Sequence, residues 1–325
     1  MEIQDFPSFR SRTRFSRKMV SAASSQGNCS FIIYAFFYYF SFLKTGPVLD
    51  MPVPSSFNDI TQEKSIRDHI GWVWYETQFY ISNRWSVSRK IILRFSSVNY
   101  HAIVYVNGAD VGLHTGGHLP FELDITSLAF FNQTNLLMVA VNNTLSEDTL
   151  PQGSLVWNSK PANFYEFTPN FDFFNYAGIH RSVHLSAIPL NHIADFVFET
   201  RIAENGQAVI SYSVFSSINS TQLNCLIEVY DANRSAKVAS AEGMYGEITI
   251  ARDDLTLWWP FGMSSEPGYL YKVDIFFKAN EQIEDHYPTH IGIRTVEVEG
   301  STLKINGRTI YLTGFGKHED SNVIT

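Results

Sequence analysis

Residues 50–190 are dominated by short runs of β-branched and aromatic residues, and no part of this stretch repeats apolar residues with a helical period of 3.6. Such side chains favour extended strands, whereas an amphipathic helix requires the 3.6-residue repeat. The runs are residues 71–81, 91–95, 101–106, 135–141 and 181–185. Many strands at short spacing without helices predict an antiparallel sandwich or jelly roll.

A second set of strand-like runs follows residue 190, at residues 207–214, 223–230 and 269–278. In the last run Tyr271, Val273 and Ile275 alternate with Lys272 and Asp274, as expected for an antiparallel sheet with one wet face. About 100 residues of such strands predict a small immunoglobulin-like sandwich. Two Asn-Gly pairs, at residues 107–108 and 306–307, each lie between strand-like runs and predict two-residue hairpins. The runs that flank the second pair are residues 303–305 and 309–312.

Composition excludes several function classes. The net charge of −8 and the lack of a basic stripe with interleaved aromatic residues argue against a nucleic-acid partner. Two cysteines, Cys29 and Cys225, cannot form a disulfide framework, and the alternation around Cys225 predicts a core position. His114 and His118 are separated by Gly116-Gly117, so we interpret them as loop histidines. No cofactor motif and no metal-ligand spacing is present.

Residues 1–45 form an atypical N-terminal segment. Basic and serine-rich residues precede an almost wholly apolar run at residues 31–43, a pattern typical of a signal peptide. A run of 13 residues is too short for a membrane-spanning helix, which needs about 20. The late start and the missing A-x-A-like cleavage site leave a transit peptide and a mis-assigned first exon as alternatives.

Asparagines in the N-x-[ST] pattern bear on the compartment, because this sequence is the acceptor of N-linked glycans. Asn28 begins one such sequon, and we predict glycosylation at the four others, which begin at Asn132, Asn142, Asn219 and Asn233. Several sequons in a β-rich chain indicate a protein of the secretory pathway or the lysosome.

Residues 171–179 place one carboxylate, Asp172, among aromatic residues, next to Asn175 and Gly178. Aromatic rings cover the apolar face of a sugar, while carboxylate and amide groups bond its hydroxyls. The structural alternative is a buried sandwich corner in which the aspartate caps a turn.

A glycosidase needs two carboxyl groups that flank the scissile bond. The candidates are Asp172, Glu319 and Asp320, but Glu319 and Asp320 are adjacent and point to opposite faces of a strand. The residues alone therefore supply no acid and nucleophile pair.

Several motifs that follow one another in a fixed order are more specific for a protein family than any single motif. These are the segments D-M-P-V-P-S-S-F-N-D (50–59), G-W-V-W-Y-E (71–76), V-N-G (106–108), G-G-H-L-P-F-E (116–122), N-N-T-L (142–145), F-D-F-F-N-Y-A-G (171–178), L-W-W-P (257–260), G-I-R-T (292–295) and G-F-G-K-H-E-D (314–320). From about residue 46 onward the chain resembles the β-glucuronidases of glycoside hydrolase family 2.

The resemblance implies three consecutive parts. They are a jelly-roll sugar-binding domain at residues 46–189, an immunoglobulin-like sandwich at residues 190–290, and the first strands of a catalytic (β/α)₈ barrel at residues 291–325. Family members are retaining hydrolases of terminal β-D-glucuronosides, including those of glycosaminoglycans, and animal members are lysosomal homotetramers. Asp172 corresponds to a residue that contacts the sugar, and His318 and Asp320 to residues of the substrate pocket.

The resemblance also implies that both catalytic glutamates lie in barrel segments that follow the part of the family represented here. We therefore expect no catalytic residue among these 325. Three hypotheses follow: a β-glucuronidase chain without its catalytic half, a non-catalytic carbohydrate-binding or subunit-assembly module, and an incomplete gene model.

Overall fold

The computed structural model describes residues 2–5, 9–15, 48–158, 164–169, 174–218, 223–231, 236–279 and 282–316. The fold divides into two compact units, the first ending at Ile188 and the second beginning at Pro189. Each unit is mostly β structure and has a hydrophobic core of its own.

The first unit contains twelve of the described strands and one short helix. These elements are β1 (Glu2–Asp5), β2 (Phe9–Phe15), β3 (Val48–Val53), α1 (Lys64–Arg67), β4 (Trp72–Tyr80), β5 (Arg89–Phe95), β6 (His101–Val106), β7 (Ala109–Thr115), β8 (Phe121–Asp124), β9 (Thr134–Asn142), β10 (Gly153–Asn158), β11 (Phe164–Pro169) and β12 (Val183–Pro189). A single 3₁₀ turn spans Asn83–Trp85. The strands form a six-stranded sheet in the order β3-β2-β4-β9-β6-β7, a four-stranded sheet in the order β1-β12-β5-β8, and the pair β10-β11.

The two larger sheets of this unit share one core. Val73 of β4 and Val139 of β9 belong to the six-stranded sheet, whereas Leu93 of β5 and Leu185 of β12 belong to the four-stranded sheet, and all four are buried in the same cluster. Burying one such side chain contributes about 1.5–3 kcal/mol. The first unit is therefore a β-sandwich, as the strand pattern predicted.

The second unit contains ten of the described strands. They are β13 (Ile193–Ile202), β14 (Ala208–Ser216), β15 (Leu223–Tyr230), β16 (Lys237–Glu242), β17 (Tyr245–Ile250), β18 (Tyr271–Ala279), β19 (Gln282–Ile291), β20 (Val296–Glu299), β21 (Thr302–Ile305) and β22 (Arg308–Thr309). A 3₁₀ turn spans Arg252–Asp254. Sheets β13-β14-β17 and β16-β15-β18-β19 both contribute to one core, which is the arrangement of an immunoglobulin-like sandwich. Strands β20-β21-β22 form a third sheet.

The predicted hairpins are confirmed. Asn107 and Gly108 have φ angles of 51° and 85° between β6 and β7, and Asn306 and Gly307 have 49° and 72° between β21 and β22. Two consecutive positive φ angles are those of a type I′ turn, for which Asn-Gly is the preferred pair.

The face of β15 and β18 that points into the core is also confirmed, since Cys225, Val273 and Phe277 are fully buried. The expectation of a wet opposite face is wrong at Asp274, which is only 5% exposed. Its carboxylate lies 2.7 Å from the Lys272 ammonium and 2.9 Å from His286 Nε2. Burial alone would raise the pKa of Asp274, but these two hydrogen bonds outweigh burial and hold it below its usual range.

Residues 2–5 and 9–15 of the N-terminal segment form the strands β1 and β2, which pair with β12 and β3, and the signal-peptide interpretation stays a prediction. Two other expectations need correction. His114 lies on strand β7 and not in a loop. Its ring stacks on the ring of Phe121, with the two ring centroids 4.4 Å apart. The strand expected at residues 309–312 ends at Thr309.

In the described part of the chain, no helix combines the length and the apolar composition needed to cross a bilayer. The apolar run at residues 31–43 lies outside the described residues.

Candidate functional site

The three predicted substrate-binding residues, Asp172, His318 and Asp320, lie outside the described residues, as do the sequon asparagines Asn219 and Asn233. The structure does describe residues 174–180, which begin two positions after Asp172. We call this stretch the anchored segment, because neighbouring loops of the first unit bind both its backbone and its side chains.

Four backbone hydrogen bonds hold the anchored segment between two other stretches of the first unit. They run from Ser55 N to Ile179 O (3.1 Å), from Phe57 N to Ala177 O (3.1 Å), from Asn99 N to Gly178 O (3.0 Å) and from Gly178 N to Asn99 O (3.3 Å). The segment therefore has a paired strand-like backbone without belonging to a sheet.

Side-chain amides complete this attachment. Asn58 donates from Nδ2 to the carbonyl of Asn175 (2.5 Å) and accepts from the backbone N–H of Ala177 (2.9 Å). The Ser56 hydroxyl donates to the same Asn58 oxygen at 2.8 Å. Asn99 donates from Nδ2 to the carbonyl of Tyr176. Each amide satisfies part-buried backbone groups that would otherwise need another partner.

The side chain of Asn175 has a structural partner. The hydroxyl of Tyr100, a residue only 1% exposed, donates to Asn175 Oδ1. Burial raises the pKa of Tyr100, so its phenol stays protonated and remains a donor at physiological pH. From the sequence we expected the Asn175 amide to bond a sugar hydroxyl. In this structure its Oδ1 atom accepts the hydrogen bond from Tyr100 and so helps to hold the segment in place.

Two glycines permit this close packing. Gly178 has a φ of +100°, and a Cβ there would lie 2.2 Å from Tyr75 Oη and 3.0 Å from a ring carbon of Phe57. Gly117 has a φ of +71°, and a Cβ would lie 2.4 Å from Asn99 Oδ1. Both positions need a residue without a side chain, for conformation and for space.

Rings of the anchored segment and its neighbours form one group at this corner. Tyr176 stacks on His180 with ring centroids 6.2 Å apart and a 16° angle, and His118 approaches His180 edge-on at 6.4 Å. Burial, aided by nearby Arg181 and His118, lowers the pKa of His180 to about 4. His180 is therefore neutral near pH 7 and adds no positive charge beside the segment.

This corner is suited to holding a loop rather than to catalysis by itself. Most of its polar groups are bonded to one another, with Asn99 Oδ1 a buried exception, and among the described residues there is no cluster of three or more metal-ligating side chains. It fixes the backbone of residues 174–180.

Sequence reasoning missed Asn58, Asn99 and Tyr100 as parts of this corner. Asn58 lies inside one of the motifs that carried the family resemblance, residues 50–59. Its partners Asn175 and Ala177 come 117 and 119 positions later, and no spacing rule connects residues so far apart in the sequence. Only the folded sandwich brings these stretches together.

Two predicted glycan acceptors are described. Asn132 is exposed, with a φ of +56°, in the turn before β9. Asn142 is half-buried at the end of β9, and its Oδ1 accepts from the backbone N–H (2.9 Å) and the hydroxyl (2.7 Å) of Thr144, the third residue of its sequon.

The chain matches two family models in order. Residues 50–189 match the sugar-binding domain of glycosyl hydrolases family 2, and residues 191–294 match the following domain model of the same family. The chain belongs to glycosyl hydrolase family 2, with its sugar-binding and immunoglobulin-like domains.

Within that family, the sequence is similar to β-glucuronidases. It is 41% identical to β-glucuronidase of Mus musculus over 288 residues and 37% identical to that of Homo sapiens over 293 residues. Each match covers 86% of this chain and 44% of the relative, so the chain spans less than half the length of these curated relatives.

Solved structures agree with the sequence comparison. β-Glucuronidase of Ruminococcus gnavus superposes with a TM-score of 0.80 at 31% identity, covering 98% of this chain and 50% of that one. Its complex with D-glucuronic acid gives a TM-score of 0.79 at 30% identity, covering 97% of this chain and 50% of that one.

Proposed function

We propose that this chain is the N-terminal, non-catalytic part of a β-glucuronidase, with a jelly-roll sugar-binding domain, an immunoglobulin-like domain and the first strands of a (β/α)₈ barrel at residues 291–325. The observation that carries the proposal is the order of the two family 2 models, together with 37–41% identity to mammalian β-glucuronidases over about 290 residues. The substrate class is a terminal β-D-glucuronoside, including those derived from glycosaminoglycans.

Asp172 is proposed to bind the sugar from the chain next to the anchored segment, with His318 and Asp320 as further pocket residues. The fixed backbone of residues 174–180 supports this role for Asp172. A binding carboxylate gains affinity when its loop is ordered before the ligand arrives, because less conformational entropy is then lost on binding.

The 325-residue polypeptide by itself is proposed not to hydrolyse glucuronides. Retaining hydrolysis needs a general acid and a nucleophile about 5–5.5 Å apart. The family resemblance assigns both glutamates to barrel segments that match no residues here. A longer chain carrying these residues would combine the sugar-contacting aspartate with that catalytic pair.

The exposed apolar side chains of residues 311–315 are consistent with contact between this segment and further protein. Tyr311, Leu312 and Phe315 are 88%, 72% and 90% exposed. Large apolar side chains grouped in one short segment are more often covered than left in water.

The compartment and assembly follow from the same proposal. Mammalian relatives at 37–41% identity and the sequons support a glycosylated lysosomal or secretory protein, with N-glycans at Asn132, Asn142, Asn219 and Asn233. A homotetramer is proposed from the family alone, and no cofactor is needed for this chemistry.

The test is hydrolysis of p-nitrophenyl β-D-glucuronide by the purified 325-residue polypeptide, beside a full-length mammalian β-glucuronidase at equal concentration. Both proteins are compared with a mock preparation from host cells that carry no expression plasmid and whose own glucuronidase gene is deleted. We expect the turnover of the polypeptide not to exceed that of the mock preparation. Turnover that follows the polypeptide through purification and falls in Asp172→Ala would contradict the absence of a catalytic pair.

A second candidate function is a non-catalytic sugar-binding module, and the anchored segment is the observation that favours it. Calorimetric titration with D-glucuronic acid separates the two candidates. Millimolar or tighter binding that is lost in Asp172→Ala supports a binding module, whereas no heat at millimolar ligand favours a chain that needs its barrel to bind.

A further inference from the structure

The sequon in the turn before β9, residues 132–134, is more exposed to solvent than the other described sequon, residues 142–144. Asn132, Gln133 and Thr134 are all exposed, so an incoming enzyme can reach the whole tripeptide. In contrast, the sequon at residues 142–144 includes Asn143, which is only 2% exposed. The sequon at Asn132 is therefore the accessible one of these two.

The turn is rigid beneath this exposed tripeptide. Asn135 is fully buried and bonds both backbone groups of Phe130, accepting from its N–H and donating to its carbonyl, each at 2.8 Å. The backbone N–H of Asn132 donates to Ile81 O at 2.8 Å. These bonds hold the backbone on both sides of the Asn132 side chain.

A tyrosine stands directly beside that side chain. Tyr80 pairs with Thr134 across β4 and β9, and its hydroxyl donates to Asn132 Oδ1. Tyr80 is 50% exposed, so much of its ring faces solvent. Among the described residues, no partner accepts a hydrogen bond from Asn132 Nδ2, the atom to which an N-glycan would be attached.

We propose that Asn132 carries an N-linked glycan whose first N-acetylglucosamine packs on the exposed ring of Tyr80. Because Nδ2 and Oδ1 share one carbon, a sugar on Nδ2 begins within contact distance of the ring whose hydroxyl bonds Oδ1. The apolar C–H face of the sugar covers aromatic surface that is otherwise in water. This inference rests on the proposed secretory or lysosomal compartment.

The attachment is a glycosyl transfer. The Asn132 amide nitrogen replaces the lipid diphosphate of a lipid-linked oligosaccharide at C1 of N-acetylglucosamine, forming the N–C bond, breaking the C–O bond to the diphosphate and losing the amide proton. The donor is the dolichol-type oligosaccharide of the secretory pathway.

The glycan is expected to stabilise the first unit by joining the ends of β4 and β9. A contact worth about one weak aromatic interaction raises Tm by about 2–4 °C in a unit of this size. The first sugar makes the contact, so trimming the glycan to one residue retains the shift and removing it entirely abolishes it.

The test expresses the full chain behind a cleavable secretory leader, in cells that make only high-mannose glycans. Glycopeptide mass spectrometry measures occupancy at each sequon, and Tm is measured before and after endoglycosidase trimming to one sugar. Thr134→Ala removes the glycan but keeps the Asn132 side chain and its bond to Tyr80, and Thr134→Ser keeps the sequon as its matched control.

Tyr80→Phe keeps the ring and should keep the Tm difference between glycosylated and unglycosylated chains, whereas Tyr80→Ala should lose it. An unmodified Asn132 in the secreted chain would overturn the proposal. So would a glycan-dependent Tm shift of the same size in Tyr80→Ala. A parallel expression from the native N-terminus tests the compartment separately: if no sequon is modified there, the proposed localisation fails while the result with the leader still decides the glycan site.

Discussion

Asparagine side chains hold several turns and loops of the first unit in place. Asn58 bonds the anchored segment, Asn135 bonds the turn at Phe130, and Asn107 donates to Leu128 O (2.7 Å) while accepting from Leu136 N (2.9 Å). An amide supplies donors and an acceptor without a charge, so it can satisfy buried backbone groups without the desolvation cost of an ion.

At the residue scale, Gly178→Ala is expected to destabilise the first unit by about 2–4 kcal/mol. The new methyl group would overlap Tyr75 Oη, and the positive φ adds strain. Urea unfolding monitored by fluorescence measures the change. Gly108→Ala, at a φ of +85° with no atom within 4 Å of the added Cβ, isolates the conformational cost and should lose only about 1 kcal/mol.

Adding Tyr75→Phe to Gly178→Ala removes the overlapping hydroxyl and should restore part of the stability. If Gly178→Ala and Gly108→Ala lower the free energy of unfolding by the same amount, then the close packing at Gly178 does not determine the loss of stability.

At the scale of elements, the hairpin β21–β22 is fastened to the segment with the Trp-Trp-Pro sequence. Asn306 donates from Nδ2 to Trp258 O and accepts from Thr295 N, both at 2.9 Å. The Arg308 guanidinium lies 5.1 Å from the ring centre of Trp259 and donates to Met263 O at 2.9 Å. The asparagine of this Asn-Gly turn therefore forms the turn and also connects it to a segment 48 residues earlier.

Asn306→Ala is expected to raise amide hydrogen exchange in β20–β22 by about tenfold to a hundredfold, because two hydrogen bonds of about 1 kcal/mol each are lost and the turn is strained. Exchange in β14 and β18, inside the core, should not change. Asn306→Gly keeps the turn conformation, so its effect reports the two side-chain bonds alone. Exchange rates in Asn306→Gly equal to the parent's would show that these bonds do not hold the hairpin.

At the scale of the whole molecule, each unit has a separate core drawn from two sheets. A domain with its own core is expected to unfold cooperatively as a unit. The two family models divide the chain at residues 189–191, close to the division between the units.

Ile275→Ala should therefore lower the stability of the second unit by about 2–5 kcal/mol and leave the first unit's transition in place. Ile275 is fully buried on β18, whereas Ile283 on the adjacent β19 is 60% exposed, so Ile283→Ala is the matched control and should change little. Calorimetry resolves the transitions. A shift of both transitions together in Ile275→Ala would show that the two units unfold as one.

The sequence by itself determined the strands with clear apolar or alternating runs, such as β4, β6, β9 and β18, together with the two Asn-Gly hairpins, the buried faces of β15 and β18, and the family. These features depend on local alternation, turn conformation and ordered motifs, which are readable along the chain. The tertiary structure decided the rest. Asp274 is buried because Lys272 and His286 close over it, and the anchored segment is fixed because Asn58 and Asn99 reach it from about 120 and 80 positions earlier. Such contacts join stretches with no fixed spacing in sequence, so only folding specifies them.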